Sequence, residues 1–492
     1  MSGTTRREFI RTAGTAAAGL ALSGFGVLPA EGAKDERPNI LFIIADDWSF
    51  PHASILGDKV LKTPNFDKVA REGVLFTNSH CAAPTCTASR GGVLTGQAMH
   101  RLDEGANLYS MLPGRFQTYP DILEKNGYFI GLNGKGWGPG PLEPAGRTRN
   151  PAGPEFKNFR EFVAQAPKDK PFCFWFGSNF PHRDYDGGSG ARSGMKPEDV
   201  EVPPFWPDAD IVRNDILDYY LEVQQFDAQV GAILNNLEMS GRAENTIVVI
   251  TSDNGMPFPR SKANLYDIGT HMPLAIRWPA KVKGGRKVDD PVSHTDFAPT
   301  FLDAAGIKPL DDMTGASLLG LLTEDKPLGR DAVFIERERH VNCRKGDLSY
   351  PARAVRTKDY LYIRNFRPGL WPAGDPEMWV AVGPFGDMDT SPTKSLLLDK
   401  RDDPKIKPFF ELATAMRPGE ELFDLKNDRW CIKNVAADPA YADAKKMLAE
   451  KLKDWMARTA DPRAKGTEDP RWDDYPYAGV LGEWVIKKPK AP

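Results

Sequence analysis

The sequence lacks three things, and each absence removes a class of protein. No sign of charge dominates: 64 Lys and Arg stand against 67 Asp and Glu, a net charge of −3. A duplex nucleic-acid binder carries a strong basic excess, so no nucleic-acid partner is expected, and any anionic ligand must be met by a local cluster of cations. No apolar run reaches membrane-spanning length; the stretch 13–28 is short and rich in Ala and Gly. The mature protein is expected to be soluble, with no membrane span. Cysteine is scarce and odd in number: Cys81, Cys86, Cys173, Cys343 and Cys431. That is no disulfide framework, no pair has zinc-ligand spacing, and one thiol is left for chemistry. No internal repeat is legible.

What remains is the composition of a globular chain, 41% apolar and 27% charged. A length of 492 residues predicts one large domain plus a smaller one. Thr5-Arg6-Arg7-Glu8-Phe9-Ile10, the weakly apolar stretch 13–28 and the small residue of Leu28-Pro29-Ala30 read together as a twin-arginine signal over residues 1–33. That implies the twin-arginine export machinery as a partner and a periplasmic or extracellular destination in a bacterium. The bland alternative is a disordered basic tail.

Four short apolar runs, at 40–45, 128–132, 172–177 and 247–250, fit strands buried on both faces. Helical patterns lie between them, the clearest over 214–239 with Gly241 at its end. The expected fold is α/β: a doubly wound, mostly parallel sheet over residues 37–325. Residues 326–492 are expected to form a C-terminal subdomain, a small antiparallel sheet plus one helix. Its half-exposed strands would be 332–337 and 354–365, and its helix 441–458. Residues 366–420, rich in Pro, Gly and Asp, read as irregular loops.

Polar residues fall at the ends of these strands. Asp46 and Asp47 follow the first, Lys135 the second, His182 the third, and Asp253 and Asn254 the fourth. Ligands of open α/β sheets bind outside the carboxyl ends of the strands, so four distant segments can meet at one place. Three carboxylates and an amide suit a hard cation, calcium (Ca2+) or magnesium (Mg2+), and not zinc. The dull alternative is two solvated turns.

Cys86-Thr87-Ala88-Ser89-Arg90 precedes a stretch, 91–94, that can be helical. A cysteine there sits at a helix N-terminus, which favours an anion, with Arg90 one turn away on the same face. The alternative is a buried small hydrophobe, against which the polar neighbours argue.

This segment resembles the Cys-x-Pro/Ala-x-Arg signature of the formylglycine-dependent sulfatases, in the alkaline phosphatase superfamily. "RPNILFIIADD", "GKGW", "TIVVITSDNG" and "ELFDLKND" support the likeness in the same order, over about residues 37–463. "NGMPFPRSKANLYDIGTHMPL" and "YPARAVRT" resemble the branch containing heparan N-sulfatase. The resemblance implies an alkaline phosphatase-like fold and a sulfuric ester hydrolase or sulfamidase acting on a sulfated saccharide. It implies that a formylglycine-generating enzyme oxidises Cys86 to an aldehyde. The hydrated aldehyde would attack sulfur through one hydroxyl, expel the sugar oxygen or nitrogen, and collapse to release sulfate. Asp46, Asp47, Asp253, Asn254 and the modified Cys86 would hold the metal, with calcium preferred by family habit. Arg90 and Lys135 would support the diol and sulfate. Lys262 would pair with the transferred charge, and His182 would contact sulfate and protonate the leaving atom. Solvated surface charge is the dull reading of both lysines.

Two positions depart from the pattern. Ala88 stands where many members have proline. Trp137 stands where a histidine is common, two residues after Lys135; it either stacks on a sugar ring or simply packs. Arg183, Asp184, Arg339 and His340 are further substrate candidates, with solvated charge as their alternative. Two rival functions remain: a phosphate mono- or diesterase of the same superfamily, and a glycan-binding relative without catalysis.

Overall fold

A seven-stranded sheet forms the centre of the protein in the computed structural model. Its strands are β1 (Asn39–Ala45), β2 (Val74–Phe76), β3 (Phe129–Gly134), β4 (Phe172–Gly177), β5 (Thr246–Ser252), β6 (Leu274–Arg277) and β7 (Arg286–Val288). They lie in the order β3-β4-β1-β5-β6-β2-β7. The pairs β3–β4, β4–β1, β1–β5 and β2–β7 are parallel; β6 runs antiparallel to both its neighbours. The structure describes residues 36–377, 383–466, 469–478 and 484–485. Residues 1–33, read as an export signal, lie outside the described residues. Arg37–Pro492 is one compact unit.

Why β1 sits in the middle follows from its sequence. Asn-Ile-Leu-Phe-Ile-Ile-Ala has no polar side to show water, and all seven residues are buried. Side chains alternate across a strand. Ile40, Phe42 and Ile44 therefore pack on one face, against Val93 and Leu94 of α1 (Cys86–Thr95) and Phe297 and Phe301 of a helix at Phe297–Ala304. Leu41 and Ile43 pack on the other, against Val223, Phe226 and Val230 of the long helix α2 (Asp210–Met239). This is the expected doubly wound arrangement, with helices on both faces. Fully burying one such side chain stabilises the fold by about 1.5–3 kcal/mol.

A separate four-stranded antiparallel sheet follows: β8 (Ala332–Arg337), β9 (Ala352–Thr357), β10 (Tyr360–Asn365) and β11 (Glu420–Asp424), in sequence order. Helix α3 (Ala442–Arg458) packs on it through Leu448, Leu452, Trp455 and Met456. Three expectations need correction. The segment 354–365 is two paired strands, not one, because Lys358-Asp359 turns the chain. The strands are mostly buried instead of half-exposed, since charged side chains such as Arg353 are ion-paired inside. And residues 366–420 contain two helices, Pro392–Asp399 and Lys407–Thr414, each with Pro in its first turn.

Candidate active site

The carboxyl ends of β1, β3, β4 and β5 meet beside the N-terminus of α1. At the end of β1 the chain turns at Asp47, whose φ is +76°. In an extended strand, neighbours point to opposite faces; this left-handed residue lets Asp46 and Asp47 both face one cluster. Asp47 N donates to Asp253 Oδ1 at 3.0 Å, and Trp48 N to Ser252 Oγ at 2.7 Å, locking the two strand ends together. One potential ligand atom from each of Asp46, Asp47, Cys86 and Asp253 lies within 4.8 Å of the others, and all four residues are buried.

Lys135 reaches this cluster because two glycines let β3 and β4 close up. A Cβ on Gly134 (φ +75°) would stand 2.1 Å from Gly177 O, and one on Gly177 would stand 1.7 Å from Lys135 O. Lys135 Nζ donates to both oxygens of Asp46, at 2.8 and 2.6 Å. From the loop after β5, Lys262 Nζ donates to Asp47 Oδ2 at 2.7 Å. His182 Nε2 stands 3.8 Å from the same oxygen, and its side chain is 36% exposed. His182 Nδ1 lies 2.6 Å from Arg183 O. A carbonyl can only accept, so Nδ1 carries a proton and Nε2 is the nitrogen left free for the cavity.

Cys86 is the first residue of α1 and is 2% exposed; its Sγ is 3.5 Å from Asp46 Oδ1. The polar neighbours did not keep the segment at the surface, as the sequence had led us to expect. All ten residues of α1 are buried. Their polar groups are satisfied internally: Thr87 donates to Pro139 O and Ser89 to Asp253 O. Burial pushes the Cys86 thiol well up, partly offset by Lys135.

Arg90 lies wholly beneath the cluster. Its Nε donates to Asp253 Oδ2 at 2.8 Å, and its terminal nitrogens to Lys135 O at 2.7 Å, Gly136 O at 3.1 Å and Ala45 O at 3.4 Å. Arg90 thus clamps Asp253 to two strand ends from beneath the cavity.

The electrostatics show what the cluster needs. Burial would raise Asp46, but Lys135 and Arg90 hold it well below the usual carboxylate range. Burial pushes Asp253 up to about 6, and the nearby Asp46 and Asp47 add to that against the pull of Arg90. Asn254 Oδ1 is buried without a hydrogen-bond partner. Carboxylates that oppose one another, beside an orphaned amide oxygen, are a donor set suited to a hard cation.

A cavity of about 960 Å³ opens over the cluster, lined by Asp46, Cys86, Lys135, His182 and Lys262 among others. The second-tier candidates separate. His340 lines it, with Nδ1 2.7 Å from Thr85 Oγ1, and burial lowers its pKa to about 4. Asp184 lines it and is exposed. Trp137 borders it but is only 3% exposed and packs in the core, so its ring offers no face for stacking on a sugar. Arg183 borders it too, yet its guanidinium pairs with Asp215 at 2.8 Å and with Pro257 O at 2.9 Å. Arg339 does not reach the cavity; it is 1% exposed and bonds the carbonyls of Asp473 and Tyr475. Reading the sequence missed Tyr109, Asn150 and Asp389, which also line the cavity. All three sit in loops and carry no periodic signal.

The sulfatase family model matches residues 38–138 and 155–307, more than half of the chain. The chain belongs to the sulfatase family. A second model, the C-terminal region of N-sulphoglucosamine sulphohydrolase, matches residues 260–371 of this sulfatase. An ulvan-active sulfatase of Formosa agariphila is 28% identical over 472 residues, covering 87% of this chain and 76% of the relative. Human N-sulphoglucosamine sulphohydrolase is 28% identical over 477 residues, covering 87% and 91%. Among solved structures, one determined in complex with its substrate D-glucosamine-2-N,6-O-disulfate superposes with a TM-score of 0.61 at 21% identity, covering 88% of this sulfatase and 100% of that chain. The phosphonate monoester hydrolase of Agrobacterium radiobacter superposes at 0.58 with 19% identity, covering 92% and 100%. These two likenesses show a shared fold, and the second shows that the fold alone does not choose between sulfur and phosphorus chemistry.

Proposed function

We propose that this sulfatase removes sulfate from a saccharide through a formylglycine made from Cys86, beside a divalent cation held by Asp46, Asp47, Asp253 and Asn254. The observation that carries the reading is Cys86 Sγ 3.5 Å from Asp46 Oδ1, in a cavity that Lys135 and Lys262 also line. The cation, calcium in preference to magnesium, supplies Lewis acidity and charge neutralisation when bound. The aldehyde supplies, as its hydrate, a hydroxyl nucleophile that an unmodified buried thiol does not.

The chain's own residues do the rest. Arg90 fixes the orientation of Asp253. Lys135 and Lys262 place two ammonium groups over the cluster, where a sulfate's oxygens would lie. His182, with Nδ1–H tied to Arg183 O, turns Nε2 to the departing sugar atom, to which its imidazolium form would give the Nε2 proton. The bond broken is S–O or S–N.

By the same reading, residues 1–33 direct twin-arginine export to the periplasm or beyond, and a formylglycine-generating enzyme acts on Cys86. Residues 37–325 form the catalytic domain and 326–492 the C-terminal subdomain, which lends His340 to the cavity. Hydrolysis of an aryl sulfate against an aryl phosphate, with calcium present, tests the reading. Sulfate release, abolished in Cys86→Ala with the circular dichroism spectrum unchanged, is expected. Full activity in Cys86→Ala, or preference for the phosphate ester, would refute it.

A further inference from the structure

Beyond the cation cluster, the charges facing the cavity are unevenly committed. Lys135 is bound to Asp46, Lys262 to Asp47 and Arg183 to Asp215. Two further acids line the cavity. Asp184 is exposed and makes no hydrogen bond or ion pair with the described residues. Asp389 is ion-paired with Lys262, its Oδ2 3.6 Å from Nζ without a hydrogen bond, and its side chain is 26% exposed. It comes from the strap 383–391, where Asp387 is anchored by Arg337 and Arg344 and by Val341 N, so the neighbouring carboxylate is held and not free to swing away. Burial would raise the Asp389 carboxyl, but Lys262, His182 and His340 lower it, which keeps it ionised. Lys262, His182 and His340 line the same cavity.

We infer that Asp389 determines specificity: its carboxylate accepts a hydrogen bond from a hydroxyl or amine of the sulfated sugar ring and excludes rings that carry a second anionic group there. The inference rests on the sulfatase reading and narrows it to a singly sulfated sugar unit at this position. An ionised carboxylate only accepts hydrogen bonds, so the exposed part of the Asp389 side chain offers a sugar an acceptor and no donor. A second sulfate or a uronate carboxylate would face Asp389, with Asp184 in the same lining; such like-charge contact selects against the wrong partner. The site is built to reject as well as to bind.

The test is a panel of hexosamine sulfates, each singly sulfated compound matched to its doubly sulfated counterpart, with an aryl sulfate as reference. Sulfate release is read by ion chromatography for the calcium-loaded, Cys86-converted enzyme. The wild type is expected to favour the singly sulfated member by about tenfold or more in kcat/KM. Asp389→Asn, which removes charge and keeps shape, should shrink that preference to about threefold or less by gaining on the doubly sulfated member. Asp389→Ala should raise KM for the singly sulfated sugar, because the donor loses its acceptor. A wild type that favours doubly sulfated sugars overturns the inference without any variant. So does an unchanged preference in Asp389→Asn. No sulfate from any compound, aryl sulfate included, would instead overturn the sulfatase reading and this inference with it.

Discussion

Replacing Arg90 with Met removes a guanidinium while keeping much of its length and bulk, so the loss is mainly electrostatic. The carboxylate of Asp253 would lose the Nε donor at 2.8 Å and stay buried. Of the three carbonyls that Arg90 serves, Lys135 O keeps Trp175 Nε1 at 3.0 Å and Ala45 O keeps Asp253 N at 3.3 Å. Gly136 O is the one that loses its donor. Breaking a buried charge pair from one side costs about 3–5 kcal/mol, and a stranded carbonyl adds about 1–3 kcal/mol. Asp253 limits the total. Already pushed up to about 6, it would rise further without Arg90 and take up a proton at neutral pH. The expected loss is therefore about 3–5 kcal/mol, a large share of the 5–15 kcal/mol typical of a folded protein. Urea unfolding in the presence of a chelator measures it. In an Asp253→Asn background the Arg90→Met penalty should fall by about 2 kcal/mol, since the partner charge is gone. A penalty under about 1 kcal/mol, or strict additivity of the two changes, would refute the clamp.

Three other outcomes are expected. Calcium at one hundred times its dissociation constant should stabilise the protein by about 2.7 kcal/mol over the chelated form, and Asp46→Asn should abolish most of that shift; equal unfolding curves with and without calcium would contradict a cation site. Burial lowers His294 to about 3 and His340 to about 4, so below about pH 6.5 the unfolded chain binds protons that the folded chain refuses. Stability should then fall with pH between about 6.5 and 4, by roughly 3 kcal/mol for each group across that window, with His100, raised by Glu336, giving a smaller opposite term; replacing His294 with Gln should flatten the slope. His182→Gln should lower kcat on a sugar sulfate by about 10²–10⁴-fold and far less on an aryl sulfate, whose leaving oxygen needs no proton; equal losses on both would deny His182 the role of acid.

The parts of the site that were legible in the sequence all hang on one rule. Asp46, Lys135, His182 and Asp253 follow strands whose unbroken apolar runs mark them as central and parallel, and central parallel strands deliver their ends to one edge. Strands of three or four residues, such as Val74–Phe76 and Leu274–Arg277, are too short for such a run to stand out, so β2 and the antiparallel β6 are not legible in the sequence. Charge was the least readable feature. Arg183 and Arg339 look in sequence like the exposed cations a sulfate would need, yet each is buried against groups more than thirty residues away in the chain. Asp389 was hidden for the opposite reason: it lies in a Pro- and Gly-rich strap whose composition says only that it turns.

Peptide mass spectrometry across Cys86, on the same preparation that releases sulfate, tests the central claim most directly. The account predicts an aldehyde in place of the thiol at residue 86, in a fraction that tracks specific activity from one preparation to the next. A preparation that turns over fully while carrying only the thiol at that position would contradict it.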